Sequence, residues 1–226
     1  MQIDLRHDPA FTVARLNLTP GEPVRVEGGA MIAHSDGVIL TAKSEGGIMA
    51  GIKRKMLAGE SFFVTTYTAP KQGGWVDIAG SLPGDIVPID VTGDSPCYVA
   101  KGNWIANSNG VNVDTDWGGM KSLFGGEGGF GMRATGDGQV VVSVYGSIDV
   151  IDLEAGEVVT IDTGHVVAYD LSINFRMRKA ATGVLNSMKS GEGFVFDFTG
   201  PGRVLMQTRN PDALGSWIRS LMPPSR

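Results

Sequence analysis

The chain has 226 residues, with 19 Lys and Arg against 24 Asp and Glu, a formal net charge of −5 and 42% hydrophobic residues. Such a chain is long enough to bury a core and too apolar to be disordered. The acidic balance argues against a nucleic-acid binder, because such proteins gain affinity by releasing phosphate counterions from a basic surface.

The first residues and the single cysteine together indicate a cytoplasmic protein. The segment from Met1 to His7 lacks the character of a signal or transit peptide. No window approaches the roughly 18 consecutive apolar residues of a transmembrane segment. One cysteine cannot form an internal disulfide, which fits a reducing compartment. Because Cys97 begins the apolar run Cys97–Ala100, we predict a buried strand thiol rather than a nucleophile.

A recurring motif indicates three copies of one unit of about 65 residues. It reads Gly, any residue, two apolar residues and Ala, at Gly29–Ala33, Gly102–Ala106 and Gly164–Ala168, with glycines 73 and 62 residues apart. Each copy also has an opening turn, a Gly-Glu pair after the motif, and a glycine-bracketed turn before an apolar strand. We therefore predict repeats at residues 10–80, 81–147 and 148–210, followed by a C-terminal helix and tail at 211–226.

The pattern within a copy predicts an all-β fold of short strands, in which the three copies share cores or pack side by side. Alternating β-branched residues, as in Val24–Val26, indicate a half-buried first strand. The motif glycine fits a turn or bulge, and the motif itself forms a second strand. The Gly-Glu pair precedes a third strand. The turns at Gly73–Gly74, Gly136–Gly138 and Gly200–Gly202 then predict hairpins into a fourth strand.

A less regular stretch lies between the motif and the Gly-Glu pair of each copy. These stretches cover residues 46–58, 117–125 and 179–190, and their apolar residues have roughly helical spacing. They predict short helices that either plug the core or present an adaptable Met-rich surface to a partner.

The last segment predicts a helix. Asn210 is a suitable N-cap and Pro211 a first-turn residue. Four apolar residues then fall on one face, namely Leu214, Trp217, Ile218 and Leu221. We expect this face to lie against the β body or a neighbouring subunit.

The sequence identifies no catalytic, cofactor-binding or metal-binding residues. His7, His34 and His165 lack the spacing of metal ligands, and we interpret them as surface or satisfied core histidines. Gly126–Gly131 matches the letters of a dinucleotide motif, but the strand before it and the helix after it are missing. Lys53–Lys55 is the one compact basic cluster, and we interpret it as solvated.

Acidic residues cluster at two places, where they could serve acid–base chemistry or hold a hard cation. The residues are Asp114 and Asp116 in one cluster and Asp149, Asp152 and Glu154 in the other. We predict that they lie in turns and cap local backbone amides.

The order of these landmarks resembles the mitochondrial biogenesis family named for altered inheritance of mitochondria protein 24. The likeness is carried by Met31–Ala33, Gly46–Leu57, Gly59–Phe63, Gly102–Ala106 and the helix starting at Asn210-Pro211, and it spans residues 10–222. It implies a fold like that of the tryptophan RNA-binding attenuator protein, with packed β-sandwich or double-stranded β-helix-like layers. It also implies a homo-oligomer, with a trimer as the candidate state. The chain shows no mitochondrial targeting segment, and fold likeness does not transfer RNA binding.

Three functional hypotheses follow from these observations. The first is a non-catalytic oligomeric scaffold or interaction protein, because the repeated residues are all structural. The second is a small-molecule-binding β protein, either a binding protein or an enzyme, with a pocket between repeats. The third is a peripheral membrane or nucleic-acid partner that uses Lys53–Lys55.

Overall fold

The computed structural model describes residues 1–43, 64–100, 102–114, 131–180 and 193–223. In these ranges the chain forms short antiparallel strands and one C-terminal helix, which confirms the all-β class with a small helical part. An N-terminal strand, β1 (Gln2–Arg6), precedes three sets of six strands.

The three sets follow one another along the chain. The first contains β2 (Val13–Leu18), β3 (Pro23–Glu27), β4 (Met31–His34), β5 (Ile39–Lys43), β6 (Val64–Thr68) and β7 (Gly74–Ile78). The second contains β8 (Ile86–Val91), β9 (Cys97–Ala100), β10 (Trp104–Ser108), β11 (Val111–Asp114), β12 (Gly131–Gly136) and β13 (Gly138–Ser143). The third contains β14 (Ile148–Leu153), β15 (Val158–Asp162), β16 (Val166–Asp170), β17 (Asn174–Lys179), β18 (Phe194–Thr199) and β19 (Gly202–Gln207). Helix α1 (Pro211–Leu221) follows.

The strands form four sheets, and the middle two each combine strands of two successive sets. Their orders are β1-β2-β7-β4, then β5-β6-β3-β10-β13-β8, then β11-β12-β9-β16-β19-β14, and finally β15-β18-β17. The first and last sheets are thus shorter than the two between them.

The same pairing scheme occurs in each set. The first and third strands pair with the sixth, and the second and fourth pair with the fifth. The sets fall within residues 10–80, 81–147 and 148–210. That these sets are diverged copies of one unit stays our prediction.

The Gly-x-apolar-apolar-Ala motif has one structural role in all three sets. It enters the third strand, rather than the second as predicted, and the pairing with the sixth strand shifts register at its fourth residue. Such a shift marks a β-bulge, where one extra residue opposes the partner strand. The bulged residues are Ile32, Ile105 and Val167.

The core lies between successive sheets as three apolar clusters. The first joins the first and second sheets, with Leu16, Val24 and Val76 fully buried. The second joins the second and third sheets, and the third joins the third and fourth. Strands β2 and β3 alternate buried and half-buried residues, as a strand with one face on a core requires. Each large apolar side chain buried in this way stabilises the fold by about 1.5–3 kcal/mol.

The predicted hairpins at the three glycine turns are wrong. The strands on either side of each turn, such as β12 and β13, belong to different sheets, so the chain crosses from one layer to the next. Gly136 and Gly138 have φ of 100° and 145°, a backbone that residues with a side chain rarely adopt. A Cβ at Gly136 would come within 2.3 Å of the Gly110 carbonyl oxygen. The glycines therefore allow a tight crossing, which the sequence pattern does not distinguish from a hairpin.

The predicted C-terminal helix is confirmed, with a correction to its packing. The Asn210 side chain accepts hydrogen bonds from the backbone of Asp212 and Ala213, as an N-cap does. No residue of α1 is buried, and Trp217 is 60% exposed, so the apolar face does not lie in the core of the β body. Its placement against a neighbouring subunit stays a prediction.

The predicted short helices fall almost wholly outside the described residues. Residues 46–58, 117–125 and 181–190 are not among them. Lys179, which we placed at the start of the third stretch, is instead the last residue of β17.

Candidate interaction site

Two internal joints hold the three sets of strands together. In each, the second strand of one set pairs with the third strand of the next. In the β3–β10 joint the register is Ala106 opposite Val26, Asn107 opposite Arg25 and Ser108 opposite Val24. In the β9–β16 joint it is Ala168 opposite Val99, Tyr169 opposite Tyr98 and Asp170 opposite Cys97. The two joints therefore have equivalent registers, counted from the motif alanine.

Side chains close both joints. The Tyr98 and Tyr169 rings stack with centroids 4.6 Å apart across the second joint. At the equivalent place in the first joint, the Arg25 guanidinium donates a hydrogen bond to the carbonyl oxygen of Val111 at 3.1 Å. The bulged residues next to the joints are fully buried, with Ile105 1% and Val167 0% exposed. Each joint thus buries the third strand that it contains.

The end of every third strand is fixed to its sixth strand in the same way. The Ser108 hydroxyl oxygen accepts a hydrogen bond from the backbone of Gln139 at 2.9 Å. Ser35, just after β4, accepts one from the backbone of Trp75 at 3.0 Å. At the end of β16, an Asp170 carboxylate oxygen accepts a hydrogen bond from the backbone N–H of Arg203 on β19. The third strand of the first set is therefore held in the same geometry as the other two.

The joint is incomplete at both ends of the described chain. Strand β4 pairs with β7 alone and β15 with β18 alone, so each is the edge of its sheet. Ile32, the bulged residue beside β4's open edge, is 55% exposed, and Val158 on β15 is 58% exposed. These two edges are a third strand without a second strand and a second strand without a third. We call them the open edges.

A cleft of about 650 Å³ lies where the second and third sets meet. The Asn103 amide donates to the carbonyl oxygen of Ser143 at 2.8 Å and to the Gln207 side-chain oxygen at 3.2 Å. Gln207 also accepts from the backbone of Tyr145 and donates to the carbonyl oxygen of Gly164. These buried amides satisfy one another and link the two sets, so they are already used by the fold.

Burial sets the protonation of the groups that could act as nucleophiles or acids near the joints. Cys97 is 2% exposed, as predicted for a strand thiol, and burial raises its pKa to about 12. Burial likewise raises the pKa of Tyr98 to about 12 and raises that of Tyr169 further. These groups stay neutral at physiological pH and contribute packing rather than charge.

The buried carboxylate Asp77 forms structural ion pairs with two arginines. Asp77 on β7 accepts hydrogen bonds from Arg15 at 2.8 and 2.9 Å and from Arg6 at 2.8 Å. The Arg15 hydrogen bond, followed by that of Arg6, holds the Asp77 pKa below its ordinary value despite burial. Arg15 also lies over the Trp75 ring, 3.9 Å from its centroid.

The predicted histidines do not come together. His34 Nδ1 lies 2.9 Å from the carbonyl oxygen of Ser35, and His165 Nδ1 lies 2.7 Å from that of Gln207. His7 is exposed in a turn with φ of 62°. Among the described residues, no group of three His, Cys, Asp or Glu side chains could hold a metal ion.

The acidic clusters need one correction. Asp149 and Asp152 lie exposed on strand β14, the edge strand of its sheet, and not in turns. Glu154 follows that strand at a turn, as predicted, but the hydrogen bond there runs from its backbone N–H to the Glu157 carboxylate at 3.0 Å, so the capping carboxylate is that of Glu157. Asp114 ends β11, whereas Asp116 lies outside the described residues.

Two further sequence features are outside the structural description. Lys53–Lys55 lies in the undescribed range 44–63. The dinucleotide-like motif lies in the undescribed range 115–130, apart from Gly131, which begins β12. The described residues include no helix with the length and apolarity that crossing a bilayer requires.

Sequence reasoning did not find the open edges. The signal was present in the motif alanines and bulged residues, since Ile32, Ile105 and Val167 occupy the same position of the motif. Their different exposure is visible only once the strands are paired.

The fold and these joints define a class of all-β protein built of stacked antiparallel sheets that successive strand sets share. Residues 3–209 match the family model described as mitochondrial biogenesis AIM24, and the chain belongs to this family. It is similar to an uncharacterised protein of Streptococcus pyogenes serotype M6, with 28% identity over 233 residues covering 100% of this chain and 92% of that one.

A solved structure agrees with the fold. The X-ray structure of another Streptococcus pyogenes protein superposes with a TM-score of 0.81 and 25% identity, covering 98% of this chain and 99% of that chain. The likeness to the tryptophan RNA-binding attenuator protein stays a prediction.

Proposed function

We propose that the protein is a non-catalytic, self-associating scaffold or interaction protein. The observation that carries this proposal is the pair of open edges, which match each other as the second and third strands of the internal joints do. An exposed strand edge is a ready template for pairing with another chain.

The side-chain chemistry supports the same reading. Asp77 and Asp197 are paired with arginines, and Cys97 is a neutral buried thiol. The polar residues of the cleft bond to one another. These groups are used to hold strands and sets in place, which is the chemistry of a scaffold. We also propose a cytoplasmic location, because a single cysteine cannot form an internal disulfide and fits a reducing compartment.

The experiment is a measurement of mass in solution combined with a screen for turnover. Light scattering coupled to size exclusion should give a multiple of the 23.8 kDa chain mass, with three chains as the candidate state implied by the family resemblance. A broad panel of hydrolase, transferase and oxidoreductase substrates should show no turnover. A monomer at all concentrations, or turnover lost on changing residues of the cleft, would overturn the proposal.

The cleft supports a second candidate, a small-molecule-binding protein. Its volume of about 650 Å³ is within the range of ligand pockets, and Phe196 and Met177 line it beside the amides. A ligand would have to displace the Asn103–Gln207 hydrogen bond or bind outside it. A metabolite screen by thermal shift, with Met177→Ala as the comparison, would detect saturable stabilisation that the variant weakens.

The third hypothesis, a peripheral membrane or nucleic-acid partner using Lys53–Lys55, has its residues outside the described part of the chain. Co-sedimentation with anionic vesicles or RNA tests it, since binding through such a cluster would fall steeply with salt.

A further inference from the structure

We propose that β15 of one molecule pairs antiparallel with β4 of a second copy of this chain. The expected register places Ala33 opposite Ile161, His34 opposite Thr160 and Ser35 opposite Val159. The inference rests on the proposed function, for which it names the partner and the contact surface.

The order of strands in the sheets gives the first argument. In both middle sheets the order is fourth, fifth and second strand of one set, then third, sixth and first strand of the next. The last sheet, β15-β18-β17, is the first half of this order, and the first sheet, β4-β7-β2, is the second half with β1 added. Joining β15 to β4 of another copy gives β17-β18-β15-β4-β7-β2-β1, which completes the pattern.

The register follows from the internal joints. Both place the motif alanine opposite the residue three before the motif glycine of the preceding set, as in Ala106 with Val26 and Ala168 with Val99. The corresponding residues of the open edges are Ala33 on β4 and Ile161 on β15. One register satisfies both templates, so the contact is specified residue by residue.

Exposure at equivalent positions gives the second argument. Ile105 and Val167, beside completed joints, are 1% and 0% exposed, whereas Ile32, beside an open edge, is 55% exposed. On the other side of the joint, Tyr98 is 5% exposed, whereas Thr160 at the same place on β15 is exposed. Apolar surface that two copies of the unit bury is therefore open in the third. Covering this apolar surface favours association, because it removes the surface from water.

The composition of the sheet edges gives the third argument. Proteins protect a solvent-facing edge strand with charge or proline. The other outer edges follow this rule, with Arg6 in β1, Pro88 in β8 and Asp149 in β14. Strand β4 (Met31–His34) carries neither Pro, Asp, Glu, Lys nor Arg, and the one charged residue of β15, Asp162, accepts a hydrogen bond from Gly164. The open edges lack the protection that β1, β8 and β14 have.

This contact is head-to-tail, because it joins different surfaces of the two copies. Each added copy leaves one β4 and one β15 open, so the assembly either closes into a ring or continues to extend. The strand register defines the contact, and the rotation between copies defines the number of subunits.

The test uses cysteines placed on separate molecules. Tyr98 and Tyr169 contact each other at the equivalent position of an internal joint, so His34→Cys and Thr160→Cys place two thiols opposite each other across the proposed contact. Native Cys97 is buried and contributes little background. After the two variants are mixed and mildly oxidised, we expect a covalent dimer to form, and neither variant alone to form one.

A matched control replaces His34→Cys with Ile39→Cys, on the outer edge strand β5. It should give at least about tenfold less dimer with Thr160→Cys, since it lies outside the proposed contact. No dimer in the first mixture, an equal yield in the control, or a dimer of His34→Cys with itself would overturn the proposal. A double variant that forms its disulfide within one chain would overturn it as well, because the two ends would then belong to the same molecule.

A second variant keeps the proposal testable without cysteines. Ile32→Glu places a charge beside the contact and should weaken self-association at least about tenfold, whereas Ile39→Glu, at a position 65% exposed on β5, should leave it unchanged. Equal effects would overturn the proposed contact. If the wild-type protein is oligomeric but the His34→Cys and Thr160→Cys variants do not cross-link, the proposed contact is wrong and the proposed function stands. If the wild-type protein is a monomer, both fail.

Discussion

Asp77 links three strands through its two arginines. It is 5% exposed on β7, and it accepts hydrogen bonds from Arg6 of β1 and Arg15 of β2. A buried carboxylate is stable only when it is paired in this way. At the scale of single residues, this cluster shows how paired charges contribute to the stability of the fold.

We expect Asp77→Asn to lower the free energy of unfolding by about 2 kcal/mol at pH 7, because both arginines lose a charged acceptor. The Asp77 pKa is lowered in the folded state, so its stabilisation is complete above the unfolded pKa, near 4, and is lost as pH falls through the folded pKa. Urea unfolding from pH 7 to pH 2 should therefore show the difference between wild type and variant shrinking below about pH 4.

Asp94→Asn is the matched control, because Asp94 is exposed in the turn between β8 and β9. It should change stability by less than about 0.5 kcal/mol at any pH. A difference for Asp77→Asn that stays constant with pH would contradict the assigned role of its charge.

The Cys97 thiol should be inert in the folded protein. Its pKa of about 12 and its 2% exposure leave neither thiolate nor access at pH 8. Titration with an aromatic disulfide reagent should detect less than about a tenth of a thiol per native chain and one after unfolding in guanidinium. Stoichiometric reaction of the native protein would show that β9 is not buried as described.

The third strands are the elements on which burial differs most clearly between sets. Ile105 and Ile32 have the same residue type and the same place in the bulge, but only Ile105 is buried, on a strand that pairs with a strand of the preceding set. We expect Ile105→Ala to cost about 2–5 kcal/mol of folding stability, and Ile32→Ala to cost less than about 1 kcal/mol in the isolated chain. Chemical unfolding at low protein concentration measures both, and equal losses would contradict the difference in burial between the two residues.

Helix α1 should be dispensable for folding. None of its residues is buried, and its N-cap hydrogen bonds are local. A chain that ends after Asn210 should unfold cooperatively with a midpoint within about 3 °C of the full chain. A loss of cooperativity would mean that α1 contributes to the core.

At this scale the sequence predicted some features and missed others for physical reasons. The motif at Gly102–Ala106 and the cap at Asn210 were predictable, because glycine turns and N-caps are local chemistry. The path through Gly136–Gly138 was not, since a tight turn between two apolar runs fits a hairpin and a crossing between sheets equally well.

For the whole molecule, the all-β class and the order of three similar sets followed from the glycine and apolar patterns. The joints did not, because strand partners are chosen by tertiary packing and the facing residues differ in chemistry, as Arg25 with Asn107 and Tyr98 with Tyr169 do. The open edges could therefore not be predicted from the sequence, although their residues are part of a motif that could be recognised. The open edges β4 and β15 differ from the strands of the internal joints because each pairs with only one strand.

Hydrogen–deuterium exchange as a function of protein concentration tests this account most directly. Backbone amides of β4 and β15 should exchange at least about tenfold more slowly at high concentration than at low, because pairing between copies protects them. The edge strands β5 and β14 serve as internal references and should not change. If β4 and β15 exchange at the same rate at every concentration while the protein remains folded, the open edges do not pair and the central claim is wrong.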